Sequence, residues 1–553
     1  MFRSLQVVAA SLTVVATASW LYLWMISRAR RTRSIVRRTS GAYPGRRQPV
    51  DDLNQASGVQ DRRDAEDEQA FSLYMVGESD IKLTFPPMKL SQHVYSLLKT
   101  FDVDPVRGFL PSVDPLRRLP QAEFQAWEAM ADALPSLLAV GQARKPLESL
   151  PELPIDALTC HRERMRAFLL LSVFAHASVW GNPKQPQDTI PRCIAIPLSS
   201  LAAAEGMPPL LTHTSLVLHN WHRLDPSGPI RTENLACNCR FLGGLDETWF
   251  YISTVEIEAR GGGVFGALLQ AQHSIAELDS ASIGGEISLK NSRAHSDAKT
   301  VAAGRVVLEA LGVVRRGILS MREALSRMPV GCHPMIFYHR VRPFLSGWKA
   351  NPTLPDGVLY EGVSWRRKQY YGGSAAQSTL FPALDAALEV SHSKHSSNAF
   401  LLEMRDYMPP GHRRLLEHLS NPACPSIRRF VENFPDRLKL DSDVDGGEEV
   451  VVTTGQSEEG GSGGKIIPEC EVASAAEALR EAYNACLRSL CDFRSTHLGI
   501  VRSYILSQQK GNVKAGEASS REDFAGGKGT GGTPLIDFLK PLKEDARVAL
   551  LDT

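Results

Sequence analysis

Apolar residues recur at helical spacing along most of the chain, while the period-two alternation of half-buried strands is scarce. The clearest amphipathic stretch runs from Ala473 to Ser507. There Leu479, Tyr483, Cys486, Leu490, Phe493, His497 and Val501 fall on one side, which predicts a long helix with a histidine inside an apolar stripe. Helical patterns also cover Ala122 to Leu138 and Cys160 to Trp180, separated by the turns Leu119-Pro120 and Leu150-Pro151. A larger block from Pro208 to Leu419 is again mostly helical in pattern. The expected fold class is therefore all-α, with a smaller, mainly helical N-terminal domain over residues 85–207 and a large helical domain over 208–545. Two Gly/Ser/Glu-rich stretches, 441–465 and 508–532, read as mobile loops inside the second domain.

The N-terminus has a different pattern. Leu5 to Ile26 carries no charge, and at ~1.5 Å rise per residue it is long enough to cross ~30 Å of hydrocarbon. Trp20, Tyr22 and Trp24 suit an interface, and Arg28, Arg30, Arg31, Arg33, Arg37 and Arg38 follow. Residues 1–40 thus predict a membrane anchor that leaves the bulk of the protein facing the cytosol. The alternatives are an organelle-targeting presequence, since the first acidic residue is Asp51, a cleaved signal, or a cytoplasmic protein. Residues 41–84 are polar and predict a flexible tether.

Composition narrows the function classes. The chain has 553 residues, 43% apolar and 22% charged, as expected for a globular protein of two or three units. A formal net charge of +1 offers no basic balance for nucleic acid. Nine cysteines, none in a C-x-x-C pair, suggest reduced thiols and neither a disulfide framework nor a zinc site. No G-x-S-x-G elbow, P-loop, H-E-x-x-H or dinucleotide-binding context appears, so hydrolase, phosphoryl-transfer and Rossmann redox chemistry have no motif behind them.

Three features carry candidate chemistry. His497, on an apolar face, must either hydrogen-bond as a core residue or use a ring nitrogen as a metal ligand. Arg342 lies near Phe337, Tyr338, Phe344 and Trp348, which suits a pocket for an aromatic amino acid and also an ordinary aromatic core. Gly372-Gly373-Ser374-Ala375 is a small-residue turn where backbone can approach a flat ligand closely, or a serine-capped helix start. His392 and His395, in a Ser-rich stretch, read as solvated loop in preference to a metal pair.

Taken together, segments spread over residues 100–545 resemble the indoleamine 2,3-dioxygenase family. They are Phe109-Leu110-Pro111 through Asp114-Pro115-Leu116, Val179-Trp180-Gly181, Asn220-Trp221, Leu345-Ser346-Gly347-Trp348-Lys349, Gly372-Gly373-Ser374-Ala375, Arg405-Asp406-Tyr407-Met408-Pro409-Pro410-Gly411-His412-Arg413, Arg494-Ser495 with His497-Leu498, and Lys528-Gly529-Thr530-Gly531-Gly532-Thr533. The resemblance implies an all-helical fold holding haem b in the large domain. It also implies a dioxygenase that inserts both atoms of O2 into the indole C2–C3 bond of L-tryptophan or a related indoleamine. The product would be N-formylkynurenine, at the head of the kynurenine pathway, with an electron donor keeping the iron ferrous.

By the same resemblance His497 is the proximal iron ligand and Arg494 the partner of a haem propionate, with Asp385 an acidic residue on that side. Arg342 would pair with the substrate carboxylate and Phe337 would pack on the indole. Tyr338, Ser253 and Gly373 would line the substrate pocket, Ser253 and Arg342 counting as the catalytic pair. Ser374 and Ala375 would line the haem edge, and Thr530 would sit on a lid. The chain departs from the family pattern at His213, which stands where vertebrate members carry tyrosine, and in residues 5–26 and 441–465, which are extra to it. A non-catalytic O2-binding or sensing haem protein is the alternative.

Overall fold

The computed structural model describes residues 88–182, 185–283, 289–392, 397–438, 451–452, 465–466, 469–508 and 535–552. Met1–Glu68 lies wholly outside the described residues. The membrane-anchored placement expected from residues 5–26 is corrected here: among the described residues no helix is long and apolar enough to cross a membrane. The segment behind that expectation, like the tether 41–84, is not among them.

The chain is mostly helical. Helices of two turns or more are α1 (Gln92–Thr100), α2 (Gln125–Ala139), α3 (His161–Trp180), α4 (Arg192–Glu205), α5 (Leu245–Arg260), α6 (Val264–Ile283), α7 (Leu289–Ser326), α8 (Leu380–Ala387), α9 (Ser397–Met404), α10 (Pro410–Leu419), α11 (Ile427–Leu438), α12 (Glu469–Val501) and α13 (Leu535–Val548). The strands are two or three residues long. β1 (Thr189–Ile190) pairs in parallel with β4 (Leu359–Tyr360). β2 (Trp221–Arg223) and β3 (Leu235–Cys237) are antiparallel, as are β5 (Val451–Val452) and β6 (Lys465–Ile466). These last two fall in the stretch expected as the first mobile loop, most of which lies outside the described residues.

Local chemistry explains the ends of several helices. Glu163 folds back to accept the Thr159 N–H at 2.7 Å, capping the start of α3. Gly206, at φ 65, ends α4 in the left-handed conformation that costs glycine little. Pro410 opens α10, where its missing N–H would have had no partner.

α3 is mostly apolar and buried on all sides from Met165 to Trp180, so it runs through the interior. Its His176 is a satisfied core histidine: Nδ1–H donates to the Phe344 carbonyl at 2.8 Å, and Nε2 accepts the Leu211 N–H at 3.2 Å. One turn on, Trp180 Nε1 donates to the Ser346 carbonyl at 2.6 Å. α3 thereby fixes two later segments, 208–213 and 342–348, against each other.

A second layer is built on α7, which packs along α6 and α12 and also meets α5 and α11. α12 confirms the stripe expected from the sequence: Leu479, Tyr483, Cys486, Leu490, Phe493 and Val501 are all buried. α13 lies along α12, held by the Asn484 side chain, which donates to the Leu551 carbonyl at 3.0 Å and accepts its N–H at 2.8 Å.

Candidate active site

His497 is the member of the α12 stripe that stays partly exposed. Burial by the surrounding protein, with help from the nearby Arg494 charge, pushes its imidazole pKa down to about 4, so the ring is neutral at physiological pH. Its nitrogens have no hydrogen-bond partner among the described residues, whereas both nitrogens of His176, another histidine pushed to about 4, are bonded. Next to it, a side chain added at Gly499 would meet no atom within 4 Å.

Arg494, one turn before His497, is held rigidly. Its Nη2 donates to both Asp385 oxygens at 2.6 Å, and Nη1 donates to the Leu542 carbonyl of α13 at 2.6 Å. Burial alone would raise the Asp385 carboxyl; Arg494 and His392 outweigh it and hold the group below its ordinary value. Phe381 of α8 packs on Phe493 of α12 with ring centroids 4.2 Å apart. These contacts fix the last turns of α12 on this side.

The arginine–aromatic group also comes together. Arg342 is 5% exposed, its guanidinium carbon lies 5.3 Å from the Tyr338 ring centroid, and burial lowers its pKa. A guanidinium removed from water in this way gains strongly from a carboxylate ligand. Phe337 is buried against Phe250 of α5, centroids 4.5 Å apart, and against Tyr504, 5.7 Å away in the π turn Arg502–Leu506 that continues α12. Ser253 lies one turn beyond Phe250 on α5. Its hydroxyl is buried without a hydrogen-bond partner, as is the Tyr338 hydroxyl.

The glycine-rich turn forms the next wall. Side chains at Gly347 and Gly372 would each overlap the other's backbone, so the segment 345–349 and the turn 372–375 lie backbone to backbone; Trp348 N–H donates to the Tyr370 carbonyl at 2.9 Å. Gly373 has room, its nearest neighbours being the Leu211 oxygen at 3.8 Å and Leu216 Cδ2 at 3.9 Å. Ser374 caps the short turn Ala375–Gln377.

His213 sits just before the π turn Thr214–Leu218. Its N–H donates to Gln377 Oε1 at 3.0 Å, and Gln377 Nε2 donates to the Gly372 carbonyl at 2.9 Å. Its Nε2 lies 2.9 Å from Glu258 Oε1, which also accepts from the Ser378 hydroxyl at 2.6 Å. Glu258, Gln377 and Ser378 are structural partners that sequence reasoning missed. Glu258 carried at most a weak signal, an acid five residues after Ser253 on the same helix. The expected lid residue, Thr530, lies outside the described residues. His392 is no solvated loop residue: it is partly buried between two carboxylates. Among the described residues no cluster of His, Cys, Asp and Glu could hold a metal ion by itself.

Known proteins similar to this chain are oxidoreductases. The chain belongs to the indoleamine 2,3-dioxygenase family, whose model, "Indoleamine 2,3-dioxygenase", matches residues 97–549. It is 31% identical over 459 residues to indoleamine 2,3-dioxygenase 1 of Rattus norvegicus, covering 82% of this chain and 96% of that protein. It is 31% identical to indoleamine 2,3-dioxygenase 2 of Homo sapiens, over 82% of this chain and 95% of the relative. The indoleamine 2,3-dioxygenase of Saccharomyces cerevisiae is 32% identical, over 81% and 92% of the respective chains.

Proposed function

We propose that this protein is a haem-dependent dioxygenase that opens the indole ring of L-tryptophan or a close indoleamine between C2 and C3, giving N-formylkynurenine. The observation that carries the proposal is His497, a neutral imidazole with no protein hydrogen-bond partner among the described residues, one turn from an arginine pinned by a carboxylate. These residues fit haem b. His497 offers the lone pair that a proximal ligand needs, Arg494 offers a cation to a propionate, and Asp385 keeps that cation aimed. Ser374 and Ala375, on their capped turn, are assigned to the border of the macrocycle. When bound, haem supplies a ferrous iron at which dioxygen is activated for insertion into the ring.

The protein's own contribution is binding and orientation. Arg342 takes the substrate carboxylate, Phe337 packs on the indole, and Tyr338 stacks behind the guanidinium and limits its freedom. The Ser253 hydroxyl, buried on α5 without a hydrogen-bond partner, is assigned to a polar atom of substrate or dioxygen. Apolar walls from Phe250, Leu216 and Tyr504 exclude water. Thr530 is assigned to the segment that closes over the substrate. The Glu258 contact commits His213 Nε2 to the protein, which favours a wall residue over a partner of dioxygen.

Haem-loaded protein, reduced and given L-tryptophan and O2, should produce the N-formylkynurenine absorbance band. A haem-replete sample that forms a stable oxygen complex indifferent to tryptophan would overturn the proposal in favour of an oxygen-binding role.

A further inference from the structure

Arg494 and Asp385 are half of a larger arrangement. His392, five residues beyond the end of α8, lies between two carboxylates: Nε2 is 3.0 Å from Asp385 Oδ2 and Nδ1 is 2.8 Å from Asp545 Oδ2 on α13. All three side chains are about one-tenth exposed. A carboxylate can only accept a hydrogen bond, so an imidazole facing carboxylates through both nitrogens must donate from both, and only the imidazolium does so. As the imidazolium, His392 also sets a positive charge between the two carboxylates.

The four residues tie three elements together. Arg494 on α12 holds α8 through Asp385 and α13 through the Leu542 carbonyl, and His392 holds the same α8 carboxylate and α13 from the opposite side. We propose that His392 is a positioning residue: as the imidazolium it cross-links α13 to α8, steadies Asp385 against Arg494, and makes the docking of α13 sensitive to alkaline pH. The cross-link is independent of the cofactor. Its second consequence, alignment of Arg494, rests on the haem assignment above.

The direction of the pH effect follows from the surroundings. Burial alone would lower the His392 pKa from 6.5, but Asp385 and Asp545 outweigh burial and the opposing Arg494 charge, and the group is raised. Cys491, between α12 and α13, is itself raised by burial and adds no charge near neutrality; Lys543 and Glu544 of α13 and Asp492 of α12 are the further charged groups around it. A raised folded value means that the stabilisation is complete below the ordinary histidine range and is lost as pH climbs through the folded pKa.

Hydrogen exchange of the 535–548 amides, corrected for intrinsic rates, tests this on the full chain between about pH 6 and pH 9. Wild-type protection should fall severalfold across a single step, because the docked state loses its extra affinity for the His392 proton as pH climbs. His392→Gln should be poorly protected throughout with no step. His392→Arg, a permanent cation, should stay protected with no step, and Asp545→Asn should move the step to lower pH. An unchanged step in His392→Gln would overturn the proposal. So would an arginine variant as unprotected as the glutamine one, because the site would then be ordinary packing. On haem-loaded protein, the wild-type Soret band should change across the same step; a flat band beside a stepping helix would remove the Arg494 half. A chain that takes up no haem at all would count against the proposed function and leave the exchange result standing.

Discussion

Arg494 on α12 and Asp385 on α8 are joined by one guanidinium nitrogen placed 2.6 Å from both carboxylate oxygens, with each side chain about one-tenth exposed. Removing one member of such a pair strands the other charge in a poorly solvated place. Asp385→Asn should lower stability by about 3 kcal/mol, the low end for a broken buried pair. Urea unfolding of the haem-free chain measures this. Because the Asp385 carboxyl is held below its ordinary 3.8, the contribution is present at neutral pH and fades only as acid takes pH down through that lowered value.

His497→Ala should leave the fold nearly as stable as wild type, since the ring is partly exposed and makes no hydrogen bond to the described protein, yet it should abolish haem retention. Soret absorbance after reconstitution and gel filtration, beside a thermal melt, separates the two effects. A variant that keeps its haem would remove His497 from the site.

Arg342→Lys keeps the charge and loses the planar fork, so it should retain haem, raise KM for tryptophan and change kcat much less. A loss of about 1.5–3 kcal/mol in binding, the usual range for a hydrogen bond to a charged group, would raise KM roughly tenfold to a hundredfold. Steady-state kinetics on haem-matched samples gives both constants.

His213→Ala should act on stability before it acts on chemistry. It leaves Glu258 buried with the Ser378 hydroxyl as its remaining short contact, and it should cost about 2 kcal/mol by the desolvation rule for a stranded polar group. His213→Ala combined with Glu258→Leu should recover part of that loss. A single variant that is fully stable but oxidises rapidly in its oxygen-bound form would instead place His213 beside the bound gas.

The neighbouring glycines make a paired test. Gly372→Ala forces a methyl into the backbone of 345–347 and should destabilise by about 1–3 kcal/mol or prevent folding. Gly373→Ala meets only ordinary contacts with Leu211 and Leu216, so it should fold normally and alter KM. Thermal melts of both proteins, with kinetics on the second, decide the matter.

Helical periodicity was enough to locate α12 and its buried stripe, because an amphipathic face is a local property of sequence. It also marked His497 as exceptional. It could not show whether that ring was satisfied: His176 lies on an equally apolar helix, and its partners, Phe344 and Leu211, are far away in sequence. The partners of Glu258 and His392 were illegible for the same reason. Glu258 looks like an ordinary helix acid until His213 and Ser378 are seen around it. His392 looks like loop until the fold brings Asp545 to it. The two glycines were recognisable as a place for close approach, but only the fold shows that Gly372 meets backbone too closely for a side chain whereas Gly373 has room for a methyl.

The small parallel pair β1–β4 ties residues about 170 apart, and the adjoining contact from the Arg192 N–H to Glu361 spans 169. Closing so long a loop costs entropy that only a well-formed interior can offset, so this pairing belongs late in folding, after the helices around α7 have associated. The segment that bears Gly347, Trp348 and the glycine turn hangs from that closure. In kinetic terms, the scaffold becomes rigid first, and the walls around the substrate position acquire their final shape in the slowest step.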